Sequence, residues 1–264
     1  MIDGHLTNLL GSDTQGVRST SKWYNTIDNL MLSLDSRMWP RGHPYSRETR
    51  KGRYMVSNEV SESVLNMGLW AGDPDLDALT LLQLGSMDGK SPVKSTRLKF
   101  KRILVGKGDY FAVCSMNTSF RIEILPSFYQ LYMKQFGIDR FDDIWSGIFL
   151  KKIADQLGDY ISLGAPIGFH DKRPRDLFRD VRAELEGIII NVTLWKIVDT
   201  IELDGKDYYE CYTSLAEGLN AQLDQFSNKL HRDFILLQID KMRLWLDMID
   251  RLIIISSISE HHVA

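Results

Sequence analysis

Residues 141–147 read FDDIWSG and lead directly into an apolar run that extends to Leu157. The pattern predicts a helix from Asp142 to Leu157, which Gly158 ends. One acid is favoured at a helix N-terminus, because the unpaired N–H groups there carry a partial positive charge. A second acid, flanked by Trp and Phe, is partly desolvated and repels the first. We therefore expect a pKa raised toward the range useful for a general base.

Asp142 and Asp143 are therefore candidate catalytic acids. One would act as the general base on an acceptor hydroxyl and the other as an orienting acid, and we expect Asp143 to be the base. The alternative is a helix cap followed by an acid in the first turn, which requires no catalytic function. The residues by themselves leave these two interpretations about even.

The composition is that of an ordinary globular protein. Of the 264 residues, 44% are hydrophobic and 25% are charged, and the net charge is -3. No broad basic excess exists to neutralise phosphates, so we expect no nucleic-acid partner. Two cysteines alone make neither a disulfide scaffold nor a zinc site, which favours a reducing compartment. With no signal-peptide pattern and no long apolar run, we expect a cytoplasmic protein without a membrane span.

The distribution of apolar residues divides the chain into two parts, a mixed α/β region at 1–172 and a helical extension at 173–264. In the first part we expect a helix at 78–84, a strand at 98–105, a strand at 110–116, a helix at 128–133 and a strand at 160–169. Residues 106–108, Gly-Lys-Gly, would join two of these strands as a hairpin. The second part has helical spacing at 175–198, 208–226 and 234–252.

Five short blocks occur in the order that is typical of one protein family. They are WPRGHPYSRE at 39–48, MGLW with DPDLDA at 67–78, CSMNTSF at 114–120, FDDIWSG at 141–147 and GAPIGFH at 164–170. The blocks resemble those of the reversibly glycosylated polypeptides, or UDP-arabinopyranose mutases, which are similar to GT-A glycosyltransferases. The resemblance covers roughly residues 5–190. It implies an α/β fold with a partial GT-A-like mixed sheet and flanking helices, followed by a helical C-terminal extension.

One family feature has no counterpart in this chain. The family carries an N-terminal nucleotide-binding half that ends in an acidic D-D-D cluster, which holds a divalent metal on the sugar-nucleotide diphosphate. Residue 1 falls just after the place of that cluster, and no D-x-D follows a predicted strand. We therefore expect either a fragment or a chain that has lost the catalytic half. Manganese or magnesium is the cofactor that the resemblance implies, with its main acidic ligands absent from this chain.

The resemblance also implies roles for two arginines and a histidine. Arg41 matches the arginine that is self-glycosylated in the family. Arg41 and Arg47 suit diphosphate binding, although they are one residue closer together than in the family pattern. The alternative is two surface arginines. His170 would contact the metal or the diphosphate, and the alternative is a partly buried loop histidine.

Three further residues are candidates for binding the sugar. Asn117 would hydrogen-bond a sugar hydroxyl, and Trp70 and Trp145 would stack on a sugar face. Core packing is the alternative for all three and is the more common fate of a tryptophan on an apolar strand or helix.

The function that these expectations favour is that of a glycosyltransferase or sugar-nucleotide mutase acting on a nucleotide diphosphate sugar, with UDP as the expected nucleotide. A nucleotide sugar and a sugar acceptor would be its partners. We expect the chain to be incomplete for this activity, which leaves open whether it is an enzyme as it stands. The alternative is a non-catalytic scaffold or assembly subunit that retains the glycosyltransferase fold, since the family forms homo- and hetero-oligomers.

Overall fold

The computed structural model describes residues 14–58 and 61–261, with the side chains of the last helix described as far as Leu252. The described strands are β1 (Thr14–Ser19), β2 (Leu30–Leu32), β3 (Tyr54–Ser57), β4 (Leu65–Gly72), β5 (Ser95–Leu98), β6 (Arg102–Val105), β7 (Thr118–Phe120) and β8 (Ile161–His170). The described α-helices are α1 (Ala78–Gln83), α2 (Asp142–Leu157), α3 (Leu177–Thr200), α4 (Tyr208–Ala221) and α5 (Lys229–His261).

The strands form one mixed sheet in the order β2-β5-β4-β8-β6-β1-β3, and β7 pairs with β4. Two neighbouring pairs are parallel, β4 with β8 and β1 with β6. The β4–β8 pair runs from Leu65 opposite Ile161 to Gly72 opposite His170. Because parallel strands end at the same edge of a sheet, the residues that follow β4 and β8 meet there.

Helix α2 lies in the core and has the bounds that the sequence predicts. Its residues are buried almost without interruption from Asp143 to Ile153, as expected for a helix that is apolar on most sides. Gly147 lies so close to Val113 that a β-carbon there would clash with the valine side chain. Gly158 ends the helix in the left-handed conformation, with φ of 87°.

Strand β8 and helices α1, α3 and α4 lie within a few residues of the ranges that the sequence predicts. The predicted α/β class is confirmed, with a mixed sheet, flanking helices and C-terminal helices. One connected cluster of buried apolar residues includes side chains from Val17 to Leu246, so α3, α4 and α5 share the core of the sheet region. In the part of the chain that the structure describes, no helix is long and apolar enough to cross a membrane.

The predicted hairpin of 98–105 with 110–116 is wrong. Strand β6 is paired on both edges, parallel to β1 and antiparallel to β8, so it has no free edge for the chain that follows it. Residues 110–116 contain no strand, and Tyr110 forms only an isolated parallel bridge with Trp23.

The predicted helix at 128–133 is also wrong. The carbonyl of Tyr129 accepts from Ser146 Oγ on α2 at 2.6 Å, and that of Tyr132 accepts from Gln238 Nε2 on α5 at 2.6 Å. Because side chains of two neighbouring helices use these carbonyls, the segment lies against them as irregular chain.

Candidate active-site cleft

An open cleft of about 580 Å³ lies where β4 and β8 end, and we refer to it as the carboxyl-edge cleft. The segments after these two strands form part of its wall, and the residues just before and at the start of α2 form another part. Its basic side chains are Arg41, Arg140, Lys172, Arg173 and Arg175. Its acidic side chains are Asp75, Asp139, Asp142 and Asp171, and Met116, His170 and Pro174 complete the lining.

Arg41 in the cleft wall forms hydrogen bonds with several other residues of the protein. Its Nε and Nη2 donate to Asp75 Oδ2 at 3.3 and 3.2 Å, and Nη2 also donates to Asp143 Oδ2 at 3.4 Å. Its Nη1 donates to the carbonyl of Arg140. The guanidinium is only 9% exposed, so two carboxylates and a carbonyl hold it at the edge of the core.

Backbone hydrogen bonds hold the turn that carries Arg41. The Arg41 N–H donates to the Asp75 carbonyl at 2.9 Å, and the His43 N–H donates to the Pro40 carbonyl at 3.0 Å. Gly42 has φ of 88° and lies against Ile144 of α2, where a β-carbon would clash. Glycine at this position therefore allows the turn to approach α2 and brings Arg41 beside Asp143.

The two acids that hold Arg41 have pKa values shifted in opposite directions. Burial would raise the pKa of Asp75, but the charges of Arg41 and Lys172 outweigh it and hold this pKa below its usual range. Burial raises the pKa of Asp143, and the charges of Asp75 and Asp142 add to the rise against the opposing effect of Arg41. The sequence-based expectation of a raised pKa in the acid pair is thus confirmed in direction for Asp143.

Although they are adjacent in sequence, Asp142 and Asp143 face different surroundings. Asp142 lines the carboxyl-edge cleft. Asp143 is 4% exposed, and its Oδ2 accepts from Arg41 and from the Ser115 N–H at 3.1 Å. Its Oδ1 has no hydrogen-bond partner. Asp143 is therefore buried beside the Arg41 guanidinium and does not line the cleft, whereas Asp142 does.

Asp73 joins the ends of the two parallel strands. Its carboxylate accepts from the Ser91 N–H at 2.8 Å, from Lys94 Nζ at 2.6 Å and from the Lys172 N–H at 3.1 Å. This buried anchor fixes the start of the segment after β8. The Lys172 side chain then returns to Asp75, with 3.5 Å between Nζ and Oδ1. Burial lowers the pKa of Lys172, an effect that Asp75 opposes.

The model of the reversibly glycosylated polypeptide family matches residues 2–251. The chain belongs to this family. The match includes α3, α4 and most of α5, so it extends past residue 190, where the resemblance of the short blocks ends. The helical extension is therefore part of what this chain shares with the reversibly glycosylated polypeptides.

Each of the following relatives matches most of this chain but only part of its own length. UDP-arabinopyranose mutase 1 of Oryza sativa subsp. japonica is 29% identical over 263 residues, which cover 95% of this chain and 62% of that protein. UDP-arabinopyranose mutase 1 of Arabidopsis thaliana is 29% identical over 259 residues, or 95% and 63%. Probable UDP-arabinopyranose mutase 1 of Pisum sativum is 30% identical over 227 residues, or 84% and 55%. The chain thus spans less than two thirds of these relatives.

The described residues contain no cluster of three protein ligands, drawn from His, Cys, Asp and Glu, for a metal ion. Asp75 is engaged by Arg41 and Lys172. His170 Nδ1 lies 3.0 Å from the Asp73 carbonyl, so Nδ1 carries the hydrogen and Nε2 is the acceptor. Burial and the Lys172 charge lower the pKa of His170. Its role toward manganese or magnesium stays a prediction for this family member.

Of the predicted substrate-binding residues, only Arg41 lines the cleft. Arg47 is exposed and does not line the carboxyl-edge cleft. Trp145 is fully buried, and its Nε1 donates to Asn191 Oδ1 at 3.0 Å. Stacking of Trp145 on a sugar does not fit this position, because the buried ring contacts Phe141 and Phe234 in the core.

Trp70 and Asn117 do not line the cleft, but each adjoins a residue that does. The ring of Trp70 contacts that of His170, with 5.3 Å between centroids. Asn117 Nδ2 donates to the Pro166 carbonyl at 3.0 Å, where the register of β4 and β8 shifts between Gly68 and Trp70. Asn117 therefore bridges an irregularity in the sheet. Its predicted contact with a sugar hydroxyl stays a prediction.

Sequence reasoning missed the cleft residues that come from the segments after β4 and β8 and from the residues just before α2. They are Asp75, Asp139, Arg140, Asp171, Lys172, Arg173 and Arg175. A signal existed for Asp75, since it belongs to the DPDLDA block that directly follows β4. The run DKRPR at 171–175, which is separated from the predicted strand at 160–169 by one residue, was a second signal. Polar side chains just after parallel strands are typical of binding sites in α/β folds.

Proposed function

We propose that this reversibly glycosylated polypeptide acts on a UDP-linked sugar, as a UDP-sugar mutase or a glycosyltransferase, and that the carboxyl-edge cleft binds the sugar diphosphate. The observation that carries this proposal is the convergence of five basic side chains beside acids where two parallel strands end. The relatives named UDP-arabinopyranose mutase support the substrate class.

The basic side of the cleft suits a diphosphate. Arg173 is exposed, and Arg175 is partly exposed while its Nε pairs with Asp180. Arginine forks bind phosphate oxygens through two parallel hydrogen bonds. When a bond between the sugar and the diphosphate breaks, negative charge grows on the leaving oxygen. Fixed cations around it lower the barrier, because they are in place before the charge develops.

The acidic side of the cleft suits an acceptor hydroxyl. We propose Asp142 as the general base, in place of the predicted Asp143, because Asp142 lines the cleft. His170 also lines the cleft, and its Nε2 can accept a hydrogen bond because Nδ1 donates to the Asp73 carbonyl. In this scheme Asp142 takes the proton of the attacking hydroxyl while the diphosphate leaves toward the arginines.

Calorimetric titration of the chain with UDP and with uridine tests the cleft. We expect UDP to bind more tightly than uridine and Arg173→Gln to weaken UDP binding about tenfold, since a charge-assisted hydrogen bond is lost. Arg179→Gln is the matched control, because Arg179 is an exposed arginine of α3 that does not line the cleft. Equal affinities of UDP and uridine, or equal effects of the two variants, would remove the diphosphate from this cleft.

A second candidate function is that of an assembly subunit, and the outer face of α5 favours it. Leu244, Met248 and Leu252 are 50%, 49% and 60% exposed at a spacing of one helical turn. Light scattering tests this with Leu244→Glu and Met248→Glu together. A mass that falls on substitution supports assembly through α5. A monomer before and after substitution speaks against it.

A further inference from the structure

The Arg41 guanidinium is held from two sides by acids with different connections. Asp75 binds Nε and Nη2, and it also lies 3.5 Å from Lys172 Nζ. Asp143 binds only Nη2 of Arg41 and the Ser115 N–H, and neither partner is a second cation. Asp143 is therefore committed to Arg41, whereas Asp75 is shared between two basic side chains.

A third contact closes the arrangement. Arg41 Nη1 donates to the carbonyl of Arg140, whose φ of 66° is unusual for a residue other than glycine. The Arg140 side chain pairs with Asp180 at 2.6 Å and with Glu184 at 3.3 Å, both on α3. The carbonyl that receives Arg41 is thus fixed by α3. Four of the five guanidinium hydrogen-bond donors are engaged by the protein, and Arg41 still lines the carboxyl-edge cleft.

We propose that Asp143 is a positioning residue, which holds Arg41 in the wall of the carboxyl-edge cleft so that the guanidinium presents a fixed donor to an anionic ligand. The proposal rests on the proposed function, because it takes the anion to be the diphosphate of a UDP-linked sugar. It gives Asp143 no contact with substrate and no proton transfer.

The charges around Asp143 support an effect through Arg41. The titratable groups that act on it are Arg41 from the turn at 39–45, Asp75 after β4, Cys114 before β7 and Asp142 on its own helix. Of these only Arg41 favours the ionised carboxylate, while burial, Asp75 and Asp142 raise the pKa of Asp143. The ionised form of Asp143 is therefore favoured by Arg41 and by the Ser115 N–H, and acidification is expected to release the guanidinium from this side first.

Titration with UDP separates positioning from simple charge. Asp143→Asn removes a negative charge near the cleft, so charge alone predicts tighter binding of the UDP anion. Positioning predicts the opposite, a loss of about tenfold. Asp142→Asn is the comparison, since it removes the neighbouring charge without touching Arg41 and is expected to bind UDP at least as tightly as the unaltered chain. Asp143→Asn that binds UDP equally or more tightly overturns the proposal.

A double-mutant cycle tests whether the effect passes through Arg41. In an Arg41→Lys background, Asp143→Asn is expected to change UDP affinity less than twofold, because lysine lacks the fork that Asp143 orients. An undiminished loss in that background would show that Asp143 acts on UDP by another route, and the proposal would fail.

Nuclear magnetic resonance of the ligand-free chain decides the proposal without a variant that must fold and without UDP binding. At pH 7 we expect separate, slowly exchanging Nη signals from Arg41, which merge on acidification as Asp143 gains its proton. Averaged Nη signals at pH 7 would overturn the positioning role even if UDP binds. Conversely, resolved signals in a chain that does not bind UDP would leave the positioning of Arg41 intact and reject the proposed function.

Discussion

The two ends of α2 both bury charged side chains, and the N-terminal end borders the carboxyl-edge cleft. Near its N-terminus Asp143 pairs with Arg41, and Asp142 faces open space. In its second half Lys151 is 1% exposed, donates to the Gly106 carbonyl at 3.0 Å and pairs with Asp155 at 2.5 Å. Burial lowers the pKa of Lys151 and raises that of Asp155. Buried charge with a shifted pKa therefore does not identify a site until an accessible surface adjoins it.

Replacement of the cleft-facing acid gives the largest expected effect. Asp142→Asn is expected to lower the rate of sugar transfer or ring interconversion about a hundredfold to ten-thousandfold, because a general base is lost. The melting temperature should stay within a few degrees, since asparagine keeps the size of the side chain. Rate measurements on a preparation with activity, paired with thermal unfolding, check both parts. Full activity of Asp142→Asn would show that Asp142 only stabilises the helix terminus and is not the general base.

Disruption of the Lys151–Asp155 pair in the second half of α2 should lower stability without changing ligand affinity. Lys151→Met leaves Asp155 partly buried without its cation, which typically costs about 3–5 kcal/mol of unfolding free energy. Lys151→Met with Asp155→Asn should recover a large part of that loss. Chemical denaturation measures the cost, and UDP titration of the folded variants should find unchanged affinity. A specific loss of UDP affinity would show that the two ends of α2 are coupled.

The acids on either side of Arg41 should respond oppositely to pH. The pKa of Asp75 is held below its unfolded value, so its contribution to stability is present above about pH 4 and is lost as pH falls through the folded pKa. The pKa of Asp143 is raised, so its ionisation opposes folding as pH rises. We expect Asp75→Asn to lower the unfolding free energy at pH 7 by about 3 kcal/mol and Asp143→Asn to leave it unchanged or higher. Denaturant unfolding from pH 7 to pH 3 measures both, and a common direction for the two variants would contradict this reading.

The smallest expected loss of stability comes from the buried tryptophan of α2. Trp145→Phe removes the hydrogen bond to Asn191 but keeps an aromatic ring between Phe141 and Phe234. We expect a loss of about 1–2 kcal/mol in unfolding free energy, since Asn191 Oδ1 is left unsatisfied in the core. Ligand affinity should not change. If Trp145→Phe weakened binding of a sugar ligand while stability stayed the same, the predicted stacking role would regain support.

The local sequence pattern was enough to predict those elements whose secondary structure does not depend on the segments that pack against them. The bounds of α2 follow from its apolar run and from Gly158, and β8 follows from its own residues. The local patterns of segments 110–116 and 128–133 predict a strand and a helix, yet neither segment forms the predicted element. Segment 110–116 cannot pair with β6, because β1 and β8 occupy both edges of that strand. In segment 128–133, backbone carbonyls accept hydrogen bonds from side chains of α2 and α5.

The sequence by itself determined the family, the mixed α/β class and the presence of an acid pair at the start of a buried helix. Only the tertiary structure decided which acid faces the cleft. Successive residues of a helix point about 100° apart, so one of two adjacent acids is turned inward. Asp143 is the buried one, because the turn at Gly42 places Arg41 beside it. The cleft residues that follow β4 and β8 meet because these two strands, almost a hundred residues apart in sequence, run parallel and end together.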